Sequence, residues 1–188
     1  MSEMLDLVLE DTKDKMNKAV SHARAEFATV RTGRAAPALV EKLMVEAYGG
    51  EVALQQLAGF SIPEPRLLVV NPFDKVNLGP IEKAIRNSDL GLNPANDGVV
   101  IRLAFPPLTG ERRQELVKRV GHLTEDGKVA IRNLRRAARH AFDEAVREGD
   151  ATEDEVARAE KELDKLTHAH EADIDTAFEH KKKELLEG

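Results

Sequence analysis

Leu5, Leu9, Thr12, Met16, Ala19, Ala23, Phe27 and Val30 recur at steps of three and four. That spacing lays them along one stripe of a helix. Ser2 ahead of charged residues is a plausible cap, and Gly33 and Pro37 break the pattern. A second run begins after Pro106-Pro107, where Thr109 can cap a helix starting GERR. Val117, Val120, Ile131, Leu134, Ala138, Ala141 and Ala145 form its stripe, and Gly149 ends it after Arg147. A third run follows Thr152, with Glu155 three residues on, the spacing of a capping box. Val156, Ala159, Leu163, Leu166, His170, Ile174, Ala177 and Phe178 make its stripe, and Lys181-Lys182-Lys183 suits a helix C-terminus. The three helices are predicted at about 28 to 38 residues, well beyond the globular mean. Short connections favour antiparallel neighbours, so the last two form a hairpin and the first joins them.

The stretch between the first two runs has a different period. Leu43, Val45 and Ala47 alternate with Met44, Glu46 and Tyr48, and Gly49-Gly50 then predicts a hairpin turn into EVALQQL. RLLVV reads as a strand stopped by Asn71-Pro72, Pro80 to Asn87 as a short helix, NPANDG as a turn and VVIRLAF as another strand. The prediction is an α+β protein: an elongated antiparallel three-helix bundle, residues 1–30 plus 106–188, interrupted by a small, β-rich α/β insert, residues 31–105. The chain crosses between them near 30–34 and 104–108. Arg31, Thr32, Gly33 and Arg34 on one side, and Phe105, Pro106 and Pro107 on the other, form the expected hinge pair, loosened by Gly33 and stiffened by the prolines.

Composition narrows the chemistry. Aromatic residues are only 4% of the chain, so the core must be aliphatic. There is no cysteine, which excludes disulfides and thiolate metal sites and suits a reducing cytoplasm. No apolar run approaches a membrane span, and the acidic N-terminus lacks the form of a signal peptide. The net charge of −6 is unevenly spread: −2 over residues 1–30, zero over 31–110, +4 over 111–147 and −8 over 148–188. A segregated surface can hold a polyanion on one side even when the whole chain is acidic.

The basic block centres on RNLRRAARH, which holds Arg132, Arg135, Arg136 and Arg139. On a helix they fall within about 100° of one face, with Lys128 on the same side and the apolar stripe turned away. Two readings stand. The arginines are a solvated face paired with the acidic third helix, or they are a phosphate-binding face, since a guanidinium presents parallel donors to phosphate oxygens. The scarcity of aromatics argues against base stacking and for recognition of backbone and shape in structured RNA. Arg31 and Arg34 around Thr32-Gly33 either cap the first helix or add a phosphate contact beside the hinge. The six histidines form no metal set, and His170 sits on an apolar stripe as a core residue. EGDATEDE lacks a calcium-loop pattern, and no Ser/His/Asp or Cys/His set is present. No catalytic residue, metal site or cofactor is therefore predicted.

VRTGRAAPALV, VNPFDK, IEKAIRNSDLGLNP with the NDG after it, PPLTGERR and AIRNLRRAARHAF together resemble the bacterial ribosome recycling factor family. They occur in the family's order from Val30 to Phe142, and the long flanking helices match in length. Gly110 and Ala137 stand where the family commonly has acidic residues. The resemblance implies two domains with an L-shaped, tRNA-like outline, and a non-catalytic, cytoplasmic, monomeric translation factor. Its partners would be large-subunit rRNA of the post-termination ribosome and elongation factor G, whose GTP hydrolysis helps separate the subunits for re-initiation. It places Arg132, Arg135, Arg136, Arg139 and Lys128 on the rRNA-facing helix, Arg132 foremost, with Arg31 near the hinge. Two other readings remain. The chain could be a helical adaptor whose arginine face binds an acidic protein, or a hydrolase seated in the insert, although no nucleophile set supports the latter.

Overall fold

The computed structural model describes residues 2–187. The chain divides into two compact units. The first unites the residues up to Val30 with Gly110–Glu187, and the second is Arg31–Thr109.

The first unit is a bundle of α1 (Glu3–Ala28), α4 (Gly110–Glu148) and α5 (Glu153–Glu187), each packed on the other two. Ser2 caps α1 by accepting the Leu5 backbone N–H at 3.4 Å. Leu5, Thr12, Met16, Val20, Ala23 and Phe27 are its buried positions. On α4 the buried line is Leu116, Val120, Thr124, Ile131, Ala138, Phe142 and Ala145. Phe142, absent from the predicted stripe, is fully buried, while Leu134 and Ala141 are half-buried. Gly127 of α4 lies against both other helices. A Cβ there would stand 3.2 Å from Ile174 Cδ1 and 3.3 Å from Ala23 Cβ, so a side chain would press on α1 and α5 together.

The α4–α5 hairpin has a tight turn. Gly149 takes φ +83°, and the Asp150 and Ala151 N–H groups both donate to the Ala145 carbonyl. Thr152 then opens α5 with a reciprocal cap: its backbone N–H reaches Glu155 Oε2 at 3.0 Å, and its hydroxyl accepts the Glu155 N–H at 3.3 Å. The Thr152 N–H, and then its hydroxyl donating to the same Oε2 at 3.1 Å, hold the Glu155 carboxyl below its ordinary pKa. The helix does not end at the lysine run. It continues to Glu187, so Lys181–Lys183 lie short of the last turn, which carries no basic residue.

The second unit has β1 (Met44–Ala47) and β2 (Gly50–Ala53) as one hairpin. Its turn centres on Tyr48-Gly49 rather than the predicted Gly49-Gly50, with Ala47 opposite Gly50. Tyr48 adopts φ +53°, and its hydroxyl accepts the Asn77 side-chain N–H at 3.0 Å. A short helix, α2 (Leu54–Leu57), leads into β3 (Ala58–Glu64), then β4 (Leu67–Pro72), α3 (Leu78–Arg86), β5 (Pro94–Asn96) and β6 (Ile101–Ala104). The four strands form an antiparallel sheet in the order β3-β4-β6-β5. Leu68 faces Leu103 and Val70 faces Ile101 across β4 and β6, and all four are fully buried. Their shared face makes one core with Ile81 and Ile85 of α3 and with Val45 and Leu54. Alternation along the strands, at two residues per repeat, is what puts these side chains on one side.

Candidate nucleic-acid interface

The basic helix of the sequence is the central part of α4, and its register against α5 decides what the arginines do. Four cross-helix ion pairs run along the seam. Lys128 Nζ stands 2.6 Å from Asp175, Arg132 Nε 3.2 Å from Glu171, Arg135 Nη2 2.7 Å from Asp164 and Arg139 Nε 3.0 Å from Glu160. Arg132 is also held from its own helix, with Nη1 3.0 Å from Glu125. Glu125 first, then Glu171, raises its pKa against a smaller cost of desolvation. The arginine side chains reach sideways along the helix surface rather than straight outward. The buried Phe142 explains part of this, because it turns the core stripe toward the arginine side.

Arg136 differs from its neighbours. It is exposed and makes no ion pair among the described residues. At about 100° per residue it shares the outermost line of α4 with Lys118, His122, Asn133, His140 and Arg147. All of them are exposed. His140 Nε2 lies 3.4 Å from Glu144 Oε1 on the same helix. Lys128 is the most covered of the basic group, its side chain 20% exposed.

The paired arginines keep donors to spare. A guanidinium carries five N–H bonds, and the pairs above use one or two on each residue. Arg135 is an awkward case: its Nε is buried and has no hydrogen-bond partner. A buried donor left unmade is costly, so this guanidinium is not at its best in the Asp164 pair alone. Chemically, the face offers one guanidinium outside the ion pairs beside three that are paired yet keep spare donors. That suits phosphate oxygens better than any apolar ligand.

Arg31 is not part of this face. It belongs to the other unit, where its Nη2 donates to the Leu90 carbonyl at 2.8 Å. The expected hinge residues vary in character. Gly33 takes φ +81° with Leu108 against it, and Thr32 is half-buried. Arg34, Pro106 and Pro107 are exposed. Phe105 is buried in the insert core, and its N–H donates to the Arg66 carbonyl at 2.8 Å. The first helix ends at Ala28 with Thr29 as its cap, so Arg31 and Arg34 lie beyond its last turn.

His170 is buried, its Nδ1 2.6 Å from the Leu166 carbonyl and its Nε2 2.7 Å from Asn17 Oδ1. Among the described residues no group of three or more potential ligands could hold a metal ion, and no helix is long and apolar enough to cross a membrane. A groove of the insert, about 670 Å³, is lined by Glu64, Arg66, Asn93, Phe105 and prolines, with no nucleophile–base pair among them.

Pairing of the arginines with the acidic third helix is one of the two readings open from the sequence, and the ion pairs show it for Arg132, Arg135 and Arg139. The sequence does not name the individual partners. Glu160, Asp164, Glu171 and Asp175 fall within about 60° of one helix face, a readable spacing. Which of them meets which cation depends on how α5 is phased against α4.

Comparison with known proteins gives this face a context. The ribosome recycling factor family model matches residues 23–186. A ribosome-recycling factor of Acidothermus cellulolyticus is 53% identical over 184 residues, covering 98% of this chain and 100% of that protein. One from Renibacterium salmoninarum is 52% identical with the same coverage. A solution structure of the ribosome recycling factor matches with a TM-score of 0.80 at 40% identity, covering 100% of both chains. A second structure matches with a TM-score of 0.66 at 44% identity, covering 99% of this chain and 100% of the other. It comes from models of the T. thermophilus ribosome recycling factor and the E. coli elongation factor G bound to the E. coli post-termination complex. Half of the positions kept across the full length, in the same helices and the same inserted sheet, is family-level agreement: the chain belongs to the ribosome recycling factor family.

Proposed function

We propose that this chain binds the post-termination ribosome in the cytoplasm and, with elongation factor G and GTP, promotes separation of the subunits so that they can re-initiate. The observation that carries the reading is the line of arginines on α4, with Arg136 outside the ion pairs and Arg132 braced from two sides, at Nη1 by Glu125 and at Nε by Glu171. Large-subunit rRNA is the ligand that such a face suits. Phosphate contacts supply most of the affinity and make it salt-dependent. Arg31 stands near the hinge and contributes there. The segments near 30–34 and 104–108 act as the hinge pair, and the α/β insert is the part on which the GTPase acts. Such a factor needs no catalytic residue of its own: nucleotide hydrolysis by the partner drives the change, and this chain contributes different affinities for different ribosome states.

The test is a subunit-dissociation assay comparing wild type with Arg132→Ala, with and without elongation factor G and GTP. Splitting should require both partner and nucleotide. Arg132→Ala should weaken binding to large subunits by about ten- to a hundredfold, as for a lost charge-assisted contact. Affinity that stays constant across a salt series, for both proteins, would overturn the rRNA grip.

The pairing of these arginines with α5 carboxylates also shows that the face accepts carboxylates, which supports a second reading, a helical adaptor that binds an acidic protein. Nuclease treatment separates the two: an adaptor for an acidic protein keeps its main partner afterwards, and an RNA-binding factor loses it.

A further inference from the structure

We propose that the carboxylates Glu160, Asp164, Glu171 and Asp175 of α5 set the RNA specificity of the α4 face, by competing with isolated phosphate contacts while leaving spare donors that a rigid array of phosphates can use. The proposal rests on the RNA-binding reading of α4.

The four pairs follow one another in sequence along both helices. Lys128, Arg132, Arg135 and Arg139 meet Asp175, Glu171, Asp164 and Glu160 in antiparallel order over about 16 Å of helix. Every one of these cations therefore enters an encounter with an anion already beside it. The carboxylates are accessible, with side-chain exposures of 52%, 25%, 48% and 39% in that order. Accessible pairs are weak, each biasing its cation toward the carboxylate by about fivefold at most. They can therefore be exchanged, yet each subtracts from a new contact made at the same cation.

That subtraction falls unequally on different polyanions. A flexible single strand recruits cations one at a time and loses chain freedom with every contact, so each discounted contact yields little. A folded RNA presents several phosphates in fixed positions, and the ordering cost is met once for the whole set. Such a ligand can be met at the donors the carboxylates leave spare, with the ion pairs kept. Specificity here is a difference of affinities obtained by weakening the wrong complex. Arg136, outside the row of pairs, makes the first contact with either ligand. Arg135 is the most readily re-aimed: its pair with Asp164 leaves a buried Nε donor unmade, and a phosphate taking Nη2 frees the group to turn.

The experiment uses the full chain with Glu160→Gln, Asp164→Asn and Glu171→Gln combined, and with Glu171→Gln alone in case the triple variant folds poorly. Poly(U) serves as the flexible probe and isolated large subunits as the folded one, each across a salt series. The triple variant should bind poly(U) about tenfold more tightly, and its slope of log K against log salt should steepen by about 0.7 for each cation released. Large-subunit affinity should rise only about twofold, so the ratio between the two ligands falls. Glu171→Gln should show the same signs at a smaller size. Unchanged poly(U) affinity and slope, or equal tightening on both ligands, would overturn the proposal. The parent reading fails differently: Arg132→Ala would then leave large-subunit binding untouched, whatever the α5 variants do.

Discussion

The bundle and the insert bury polar groups by opposite rules. In the bundle, Thr12, Thr124, Thr167 and His170 are buried along the helix stripes. A helix tolerates this because a threonine hydroxyl can donate to the carbonyl one turn back: Thr124 to Val120 and Thr167 to Leu163, both at 2.8 Å. In the insert, strand carbonyls bond to neighbouring strands instead, and Asn77 is the one buried polar residue among those described. The surfaces invert the contrast. The bundle lines α4 with ion pairs, while the insert leaves Tyr48, Phe73 and Val76 exposed. A dry interior suits a small sheet that must hold its shape with few residues.

The largest test of this contrast is to empty one core and watch the other. Phe142→Ala should cost the bundle about 3–5 kcal/mol, and Leu103→Ala should cost the insert about 2–5 kcal/mol. Hydrogen exchange should show the first change exposing amides of α1, α4 and α5 while β4 and β6 keep their protection, and the second doing the reverse. Equal loss in both units after either change would break the picture of two separate cores. A smaller effect tests the closeness of the helices at Gly127. Gly127→Val should destabilise by about 1–3 kcal/mol through crowding of Ile174 and Ala23. Gly121, with open space around its Cβ position, should gain up to about 1 kcal/mol on change to alanine. Thermal unfolding of the two variants should therefore move in opposite directions.

The subtlest test compares one carboxylate from each unit. In the insert, Asp97 accepts the Val100 and Val99 N–H groups and an Arg102 donor, which lower its pKa from 3.8 to about 2. A carboxylate with a depressed folded pKa adds stability that is present above the unfolded value and lost as pH falls through the folded one. The Asp97 contribution should thus fade between about pH 4 and 2, and Asp97→Asn should flatten the insert's acid limb. Glu155 should do the same at the start of α5, since the Thr152 N–H lowers its pKa too. Side-chain chemical shifts followed down to pH 2 would show each group, and a titration at ordinary values would remove the effect.

Much of the fold could be read from periodicity, and the failures have local causes. The long helices carry stripes repeated over many turns, so a misplaced residue such as Ala141 for Phe142 does not change the element. The insert has no such redundancy. β3 escaped notice because GFSIPEP contains Gly59 and Pro63, yet an edge strand tolerates a proline where its N–H would face solvent. A register shift between Ser61 and Glu64 absorbs the irregularity. The Tyr48-Gly49 turn was missed because a tyrosine at positive φ breaks the usual preference, and a hydrogen bond from Asn77, distant in sequence, helps to hold it. At the interface, the spacing of Arg132, Arg135, Arg136 and Arg139 placed them on one face. That three of them meet α5 carboxylates and one does not depends on tertiary phase, which no single helix encodes.

That phase is held by the buried stripe of α5: Ala159, Leu163, Thr167, His170 and Ile174. Two amides on the Ala145 carbonyl and the reciprocal Thr152–Glu155 cap fix where α5 begins. Glu160, Asp164, Glu171 and Asp175 stand about 90° round the helix from the stripe and turn with it. The charge match along about 16 Å of α4 is therefore tied to the core: α5 cannot turn its carboxylates away from the arginines without taking Leu163 and Ile174 out of the bundle interior.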